Sequence, residues 1–290
     1  MKIKSIYKKI YEKKTCFYCG LGIVLTCFLA LFAPFISPYP FDEQFPEKAL
    51  NSYSWTHFLG TDHLGRDLLS RVIYGARMSM AVGIFTALIS AFLGIIYGLI
   101  SGWLGGLTDR ILMRFIDIMF SIPTLVLLIL VKVLFDSFTI ISNPELKALA
   151  GTLVALSLVS WASLARVVRG QVLQSKENLF VEASRSLGAG NFRIIFIHIL
   201  PNIISPIIIL LTFQIPSNIL FESMLSFLGL GLQAPFSSWG VLIDEGWRSI
   251  STYPRLIIVP GFMLFVTMLS FNLFGDGLRD IFDPNLKNQI

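Results

Sequence analysis

The chain has 290 residues, 54% of them hydrophobic and only 14% charged, with a mean hydropathy of +0.73. Soluble domains carry about a quarter charged residues, so an ordinary water-exposed surface is excluded. The net charge of +5 gathers at the ends of apolar segments. It forms no basic stripe interleaved with exposed aromatics, which argues against nucleic acid as a partner.

A bilayer core of roughly 30 Å takes about 20 apolar residues to cross, and in lipid each backbone polar group must be satisfied within its own segment. The apolar runs therefore predict an all-α, polytopic membrane protein with six transmembrane helices. They fall at about 17–36, 78–102, 111–134, 148–167, 203–227 and 256–274. The alternation of an outer-membrane barrel is absent from them. The expected divisions are a basic N-terminus (1–16), a first span with an outer loop (17–77), a core transmembrane region (78–274) and a tail (275–290). A polar interval at about 168–202 lies inside the core region.

Lys2, Lys4, Lys8, Lys9, Lys13 and Lys14 precede the first span. A basic start before an apolar stretch also describes a signal peptide. The stretch from Phe17 to Ile36 is longer than a usual signal core and shows no A-x-A cleavage pattern, so it reads as a retained span. Lys and Arg favour the segments on the same side as this terminus, which predicts that both termini are cytoplasmic. Cys16 and Cys19 form a C-x-x-C, but no second pair and no nearby His completes a metal or redox site. They read, with Cys27, as apolar filler.

The outer segment 37–77 opens with Pro38 and Pro40. From Gly65 to Arg77 its apolar residues fall at 68, 69, 72, 73 and 76, the spacing of a short amphipathic helix lying in the outer interface. His57 and His63 read as surface polarity in a loop, and no metal site is expected. In the second span Gly94, Gly98 and Gly102 recur every four residues, which marks a close helix-packing face. The third span is the least clean, because Arg114 and Asp117 occupy its first turns. Asp117 is placed to pair with Arg114 or Arg110 on its own helix.

The interval between the fourth and fifth spans is long for a connector. Leu179, Phe180, Ala183 and Leu187 share one face at helical spacing, and Gly188 is placed as a helix stop. A short helix of this kind can lie in a groove of another protein, or it can lie on the lipid interface. The fifth span carries Asn202, Pro206, Gln214, Asn218, Glu222 and Ser226 at four-residue steps, with one apolar gap at Leu210. Polar groups in a span face protein or water. Two readings stay open: Gln214, Asn218 and Glu222 line a translocation path, or they only hold the bundle together. Pro206 and Pro216 predict a loosened or bent helix. Gly229 and Gly231 end this span, Trp239 and Trp247 read as interface anchors, and Gly275–Pro284 reads as a short polar tail.

No P-loop, H-E-x-x-H, spaced Cys/His quartet or G-x-S-x-G occurs in the chain. Catalysis by this chain is therefore not expected. An ion-driven secondary transporter would need Glu222 and Asp117 to titrate. It would usually show inverted repeats and helices broken at midplane, and neither is evident.

Glu182-Ala183, then Gly188, then Leu200-Pro201 resemble the EAA loop of ABC-importer permeases. Ser184 replaces the second Ala of that pattern and His198 stands where it has Ile. The run Gly60, Asp62, Gly65, Arg66, Asp67, Ser70 and Arg71 is similar to the signature before the second span in oligopeptide, dipeptide and nickel permeases. So are the stretches 221–231 and 275–280. Together they resemble the C-type subunit of that group over nearly the whole chain. The resemblance implies a type I ABC importer-like permease fold in the bacterial inner membrane. It implies a B-type permease, two ATPase subunits and an extracytoplasmic peptide-binding protein as partners. It implies that ATP and Mg are used by the ATPases and that no cofactor binds this chain. Glu182, Ala183, Gly188, Leu200 and Pro201 would couple the spans to an ATPase. The cargo would be an oligopeptide or dipeptide, or, in the same architecture, nickel or another small polar solute.

Overall fold

The computed structural model describes residues 13–138, 141–233 and 236–282. The lysines at 2, 4, 8 and 9 and the segment from Asp283 to Ile290 lie outside the described residues. The elements are α1 (Lys14–Leu31), α2 (Leu68–Leu104), α3 (Gly106–Ser121), α4 (Thr124–Ser137), α5 (Pro144–Lys176), α6 (Leu179–Ser186), α7 (Asn191–Phe227), α8 (Trp239–Trp247) and α9 (Arg255–Phe282). Five of these are long and apolar enough to cross a membrane, and a sixth crossing results if α3 and α4 count as one.

The predicted third span is in fact two helices, bent by 97°. Pro123 is the cause. Ile122 before it adopts an extended conformation (φ −95°, ψ 131°), as a residue preceding proline prefers. Asp117 then pairs across helices with Arg166 of α5 at 2.8 Å, and not with Arg114 or Arg110.

The interfacial helix expected before the second span is instead the first turns of α2. Asp67 caps it, accepting the Ser70 N–H at 2.8 Å, the usual role of a short acidic side chain at a helix start. Leu68, Val72, Ala76 and Met80 run down one face into a core with Ile219 of α7, Trp239 and Leu242 of α8, and Leu256 and Phe271 of α9. Burial against protein replaces the expected contact with lipid headgroups. Trp239, read as an interface anchor, belongs to this core; its Nε1 donates to the Val72 carbonyl at 3.2 Å. Trp247 is exposed.

α2 and α5 form the most extensive helix pair. A Cβ at Gly94 would lie 2.8 Å from Leu164, at Gly98 2.6 Å from the Ala165 carbonyl and at Gly102 2.8 Å from Val172. Only glycine permits that approach. At the other end of the chain, the stretch read as a tail is helical to Phe282. Gly275 and Gly277 let α9 sit against Thr212 of α7 and Cys16 of α1, and Lys13 pairs with Asp280. The 275–280 motif is thus a helix-packing surface.

The loop before α2 is held by charge. Asp62 accepts Arg66 Nε at 2.6 Å and Arg71 Nη1 at 2.8 Å. Glu245 of α8 accepts Arg66 Nη2 at 2.9 Å and also binds Arg71. Two cations thus meet two carboxylates. His57 is buried, against expectation, with Nδ1 3.0 Å from Asp67 Oδ1. Among the described residues no group of three or more metal-ligating side chains occurs.

Candidate functional site

α6 has only eight residues, too few for stable helicity alone. Its inner face anchors it: Val181 is fully buried with Val168 and Val172 of α5 and Ile194 and Ile199 of α7. Phe180 packs partly against the same cluster, so it faces inward rather than joining Leu179. The opposite face is bare. Leu179 is 82% exposed and Leu187 88%, and Glu182 and Ala183 lie on the surface between them.

Gly188 ends the helix with φ +79°. Its N–H donates to the Arg185 carbonyl at 2.9 Å, and the Ala189 N–H donates to the Ser184 carbonyl at 3.0 Å. These are the two bonds of a Schellman stop. Nothing lies within 4 Å of where a Gly188 Cβ would stand, so backbone conformation alone requires glycine here.

The return into the membrane is π-helical over Ile194–Ile199. Pro201 follows, and it has no N–H to give the preceding turn. The Leu200 N–H reaches back to the Ile195 carbonyl, and the Asn202 side-chain amide donates to the His198 carbonyl at 2.7 Å. Beyond this point α7 continues through both Pro206 and Pro216 as one helix.

A cavity of about 300 Å³ opens between α3, α4, α5 and α7. Ser160 and Ser163 of α5 and Gln214, Ser217 and Asn218 of α7 line it, among apolar neighbours such as Phe120 and Phe213. Gln214 Nε2 donates to the Ser160 carbonyl at 2.8 Å, and the Ser160 hydroxyl donates to Asn218 Oδ1 at 2.8 Å. These groups therefore both face the cavity and tie two helices together. Ser163 and Ser217 are exposed. Arg166, over the Phe120 ring at 4.5 Å, brings its ion pair with Asp117 to the cavity's edge. Arg166 and Asp117, far apart in sequence, meet because α3 and α5 cross.

Glu222 is not at the cavity. It is fully buried and accepts hydrogen bonds from Ser226 at 2.9 Å and Ser79 at 3.2 Å. The same two hydroxyls accept the backbone N–H of Leu232 and of Trp239. Glu222 thus joins α2, α7 and the segment leading into α8. Asn218, one turn earlier on α7, also reaches α2, its Nδ2 donating to the Gly83 carbonyl at 3.5 Å, but unlike Glu222 it lines the cavity as well.

A bundle of apolar helices with a cavity partly lined by polar groups and an anchored surface helix defines an all-helical, polytopic membrane protein. Two solved transporters share the fold. One is an amino acid ABC transporter with histidines (TM-score 0.56, 20% identity, 72% of this chain and 92% of that chain). The other is the MetNI methionine ABC transporter in an inward-facing conformation (TM-score 0.54, 18% identity, 74% and 98%). Residues 94–288 match the family described as binding-protein-dependent transport system inner membrane component. The dipeptide transport system permease protein DppC of Bacillus subtilis is 42% identical over 92% of this chain and 81% of its own length. The oligopeptide transport system permease protein OppC of the same organism is 40% identical over 91% and 84%. The glutathione transport system permease protein GsiD of Pectobacterium atrosepticum is 36% identical over 98% and 92%. The chain belongs to this family: it is a multi-pass inner-membrane, non-catalytic permease subunit of a binding-protein-dependent ABC transporter. Such a transporter also comprises an ATPase, a partner permease and a binding protein.

Proposed function

We propose that this chain is the C-type permease of a peptide importer, and that α6 is the element an ATPase subunit grips. The bare face of α6 carries this reading. Two leucines more than four-fifths exposed, beside Glu182 and Ala183, on a helix anchored from behind, are what a helix-in-groove contact uses. Val181 and the π turn fasten α6 to α5 and α7, so closure of the motor would move both walls of the cavity together. A conformational cycle needs contacts that differ between its states, and the α6 face can supply them while ATP and Mg turn over on the ATPases.

The cavity is one half of a path that a B-type permease completes. Its hydroxyls and amides suit a peptide backbone without selecting side chains, and selection falls to an extracytoplasmic peptide-binding protein. The relatives named for dipeptides, oligopeptides and glutathione support peptide cargo. The abundance of basic residues beside α6 supports an arrangement with this loop and both termini in the cytoplasm.

The test is uptake into proteoliposomes that hold this chain, its partner permease, two ATPase subunits and the receptor. ATP-dependent accumulation of labelled di- or oligopeptide is expected. Accumulation of nickel without peptide would move the cargo assignment. Uptake by this chain alone under an ion gradient would overturn the reading.

A further inference from the structure

We infer that α2 and the π turn of α7 form a binding site for an anionic phospholipid, in the leaflet beside α6. A groove of about 680 Å³ runs along α2. Phe92, Ile96, Leu99, Ile100 and Trp103 form one wall and Phe196 of the π turn the other. Phe92, Ile96, Ile100 and Phe196 are each more than 40% exposed. The groove extends from Phe92 to Leu104, about 18 Å at 1.5 Å per helical residue. One leaflet of a bilayer core is about 15 Å deep, so its length matches an acyl chain.

The end of the groove supplies the headgroup chemistry. Arg185 of α6 lies over the Trp103 ring, its Cζ 5.2 Å from the centroid, and Lys176 Nζ lies 5.5 Å from the same ring. Lys176 also donates to the Trp103 carbonyl at 2.9 Å, which fixes its position. Among the described residues neither cation forms an ion pair; the nearby Asp109 is held by Arg169 at 2.6 Å. Two cations without an ion-pair partner among the described residues, beside a tryptophan at the mouth of an apolar channel one leaflet long, fit a molecule that joins an acyl chain to a phosphate. Basic pockets between spans on the cytoplasmic side recognise such headgroups, and aromatic residues mark that depth. A partner helix without acidic residues would fill the apolar wall but leave the cations unmatched. Because Arg185 belongs to α6, a bound lipid would brace the surface helix against the end of α2. The inference is independent of which solute is carried.

The test is fluorescence quenching of the complete complex in nanodiscs containing lipids brominated on the acyl chain. The Trp103 contribution is the difference between the unaltered protein and Trp103→Phe. Brominated phosphatidylglycerol is expected to quench it several-fold more than brominated phosphatidylcholine at equal mole fraction. Arg185→Ala should weaken that preference about fivefold, the factor equivalent to about 1 kcal/mol per basic residue near the surface, and Arg185→Lys should restore it. Ile96→Phe, which fills an exposed wall position without adding a tryptophan, should reduce quenching by both lipids. Equal quenching by the two lipids overturns the site. So does absence of quenching by either, which would mean that a neighbouring subunit covers the groove.

Discussion

Arg71 donates from Nη1 to Asp62 Oδ2 at 2.8 Å with side chains 1% and 5% exposed. The pair pins the preceding loop to the start of α2, and Glu245 extends it to α8. Most polar residues of the 60–71 signature therefore have a structural task, and Gly65 does too: its φ is +77° and a Cβ would collide with the Phe45 carbonyl. Removing one partner of a buried ion pair strands the other charge. Arg71→Ala should lower stability by about 3–5 kcal/mol, read as a large loss of thermal stability of the detergent-solubilised complex. Unchanged melting would mean that water reaches Asp62.

Gly188 gives a test that separates backbone conformation from bulk. There is open space around its Cα, but the left-handed region costs an ordinary residue about 1–2 kcal/mol. Asparagine visits that region readily. Gly188→Val should therefore abolish ATP-dependent uptake while the complex still assembles, and Gly188→Asn should retain most of it. Equal activity of the two variants would detach the stop of α6 from coupling.

The α2–α5 contact predicts a failure of folding. Gly98→Leu places side-chain atoms where the Ala165 carbonyl and Val168 already stand, so the helices must separate. Expression of assembled protein should fall below detection. Gly170→Ala, where nothing lies within 4 Å, should assemble normally and serves as the control.

Glu222 should behave as a packing residue. Its two oxygens take hydroxyls from α2 and α7, and loss of the carboxyl leaves those buried groups short of a partner, at a cost of about 1–3 kcal/mol. Glu222→Ala should reduce assembly and thermal stability, with the apparent affinity for peptide unchanged in whatever complex survives. A variant that assembles fully but loses peptide affinity would return Glu222 to the path.

Local signals carried far in this sequence. The apolar runs located every long helix, Gly188 and Gly229 announced two stops, and the glycine ladder of α2 marked a close contact. Signals that depend on a second element did not carry. Leu68 through Ala76 have the spacing of a surface helix, and only the arrival of α8 and α9 makes that face a core. The polar stripe of α7 is regular at four-residue steps, yet a helix turns 3.6 residues per cycle, so the stripe drifts. Asn218 reaches both the cavity and the Gly83 carbonyl of α2, whereas Glu222 lies wholly buried under Ser79. Arg166 and Asp117 are far apart in sequence and meet because Pro123 turns the chain. Pro123 itself was visible, and it was the available sign that the third span is broken.

The cavity offers the sharpest test of the path. Ser217 lines it and is exposed; its hydroxyl donates only to the Phe213 carbonyl of its own helix, at 2.9 Å. Ser217→Trp therefore removes no contact between helices. A tryptophan side chain would occupy much of a space of about 300 Å³, leaving little for a peptide backbone. Uptake should fall at least about tenfold, equivalent to 1.4 kcal/mol or more. Assembly and the basal ATPase activity of the complex should be retained, because α6 and its anchors are untouched. Ser217→Ala, which keeps the space, should transport nearly as the unaltered protein does. If the tryptophan variant imports peptide at the normal rate, the solute passes elsewhere, and Gln214 and Asn218 serve only to bind α5 to α7.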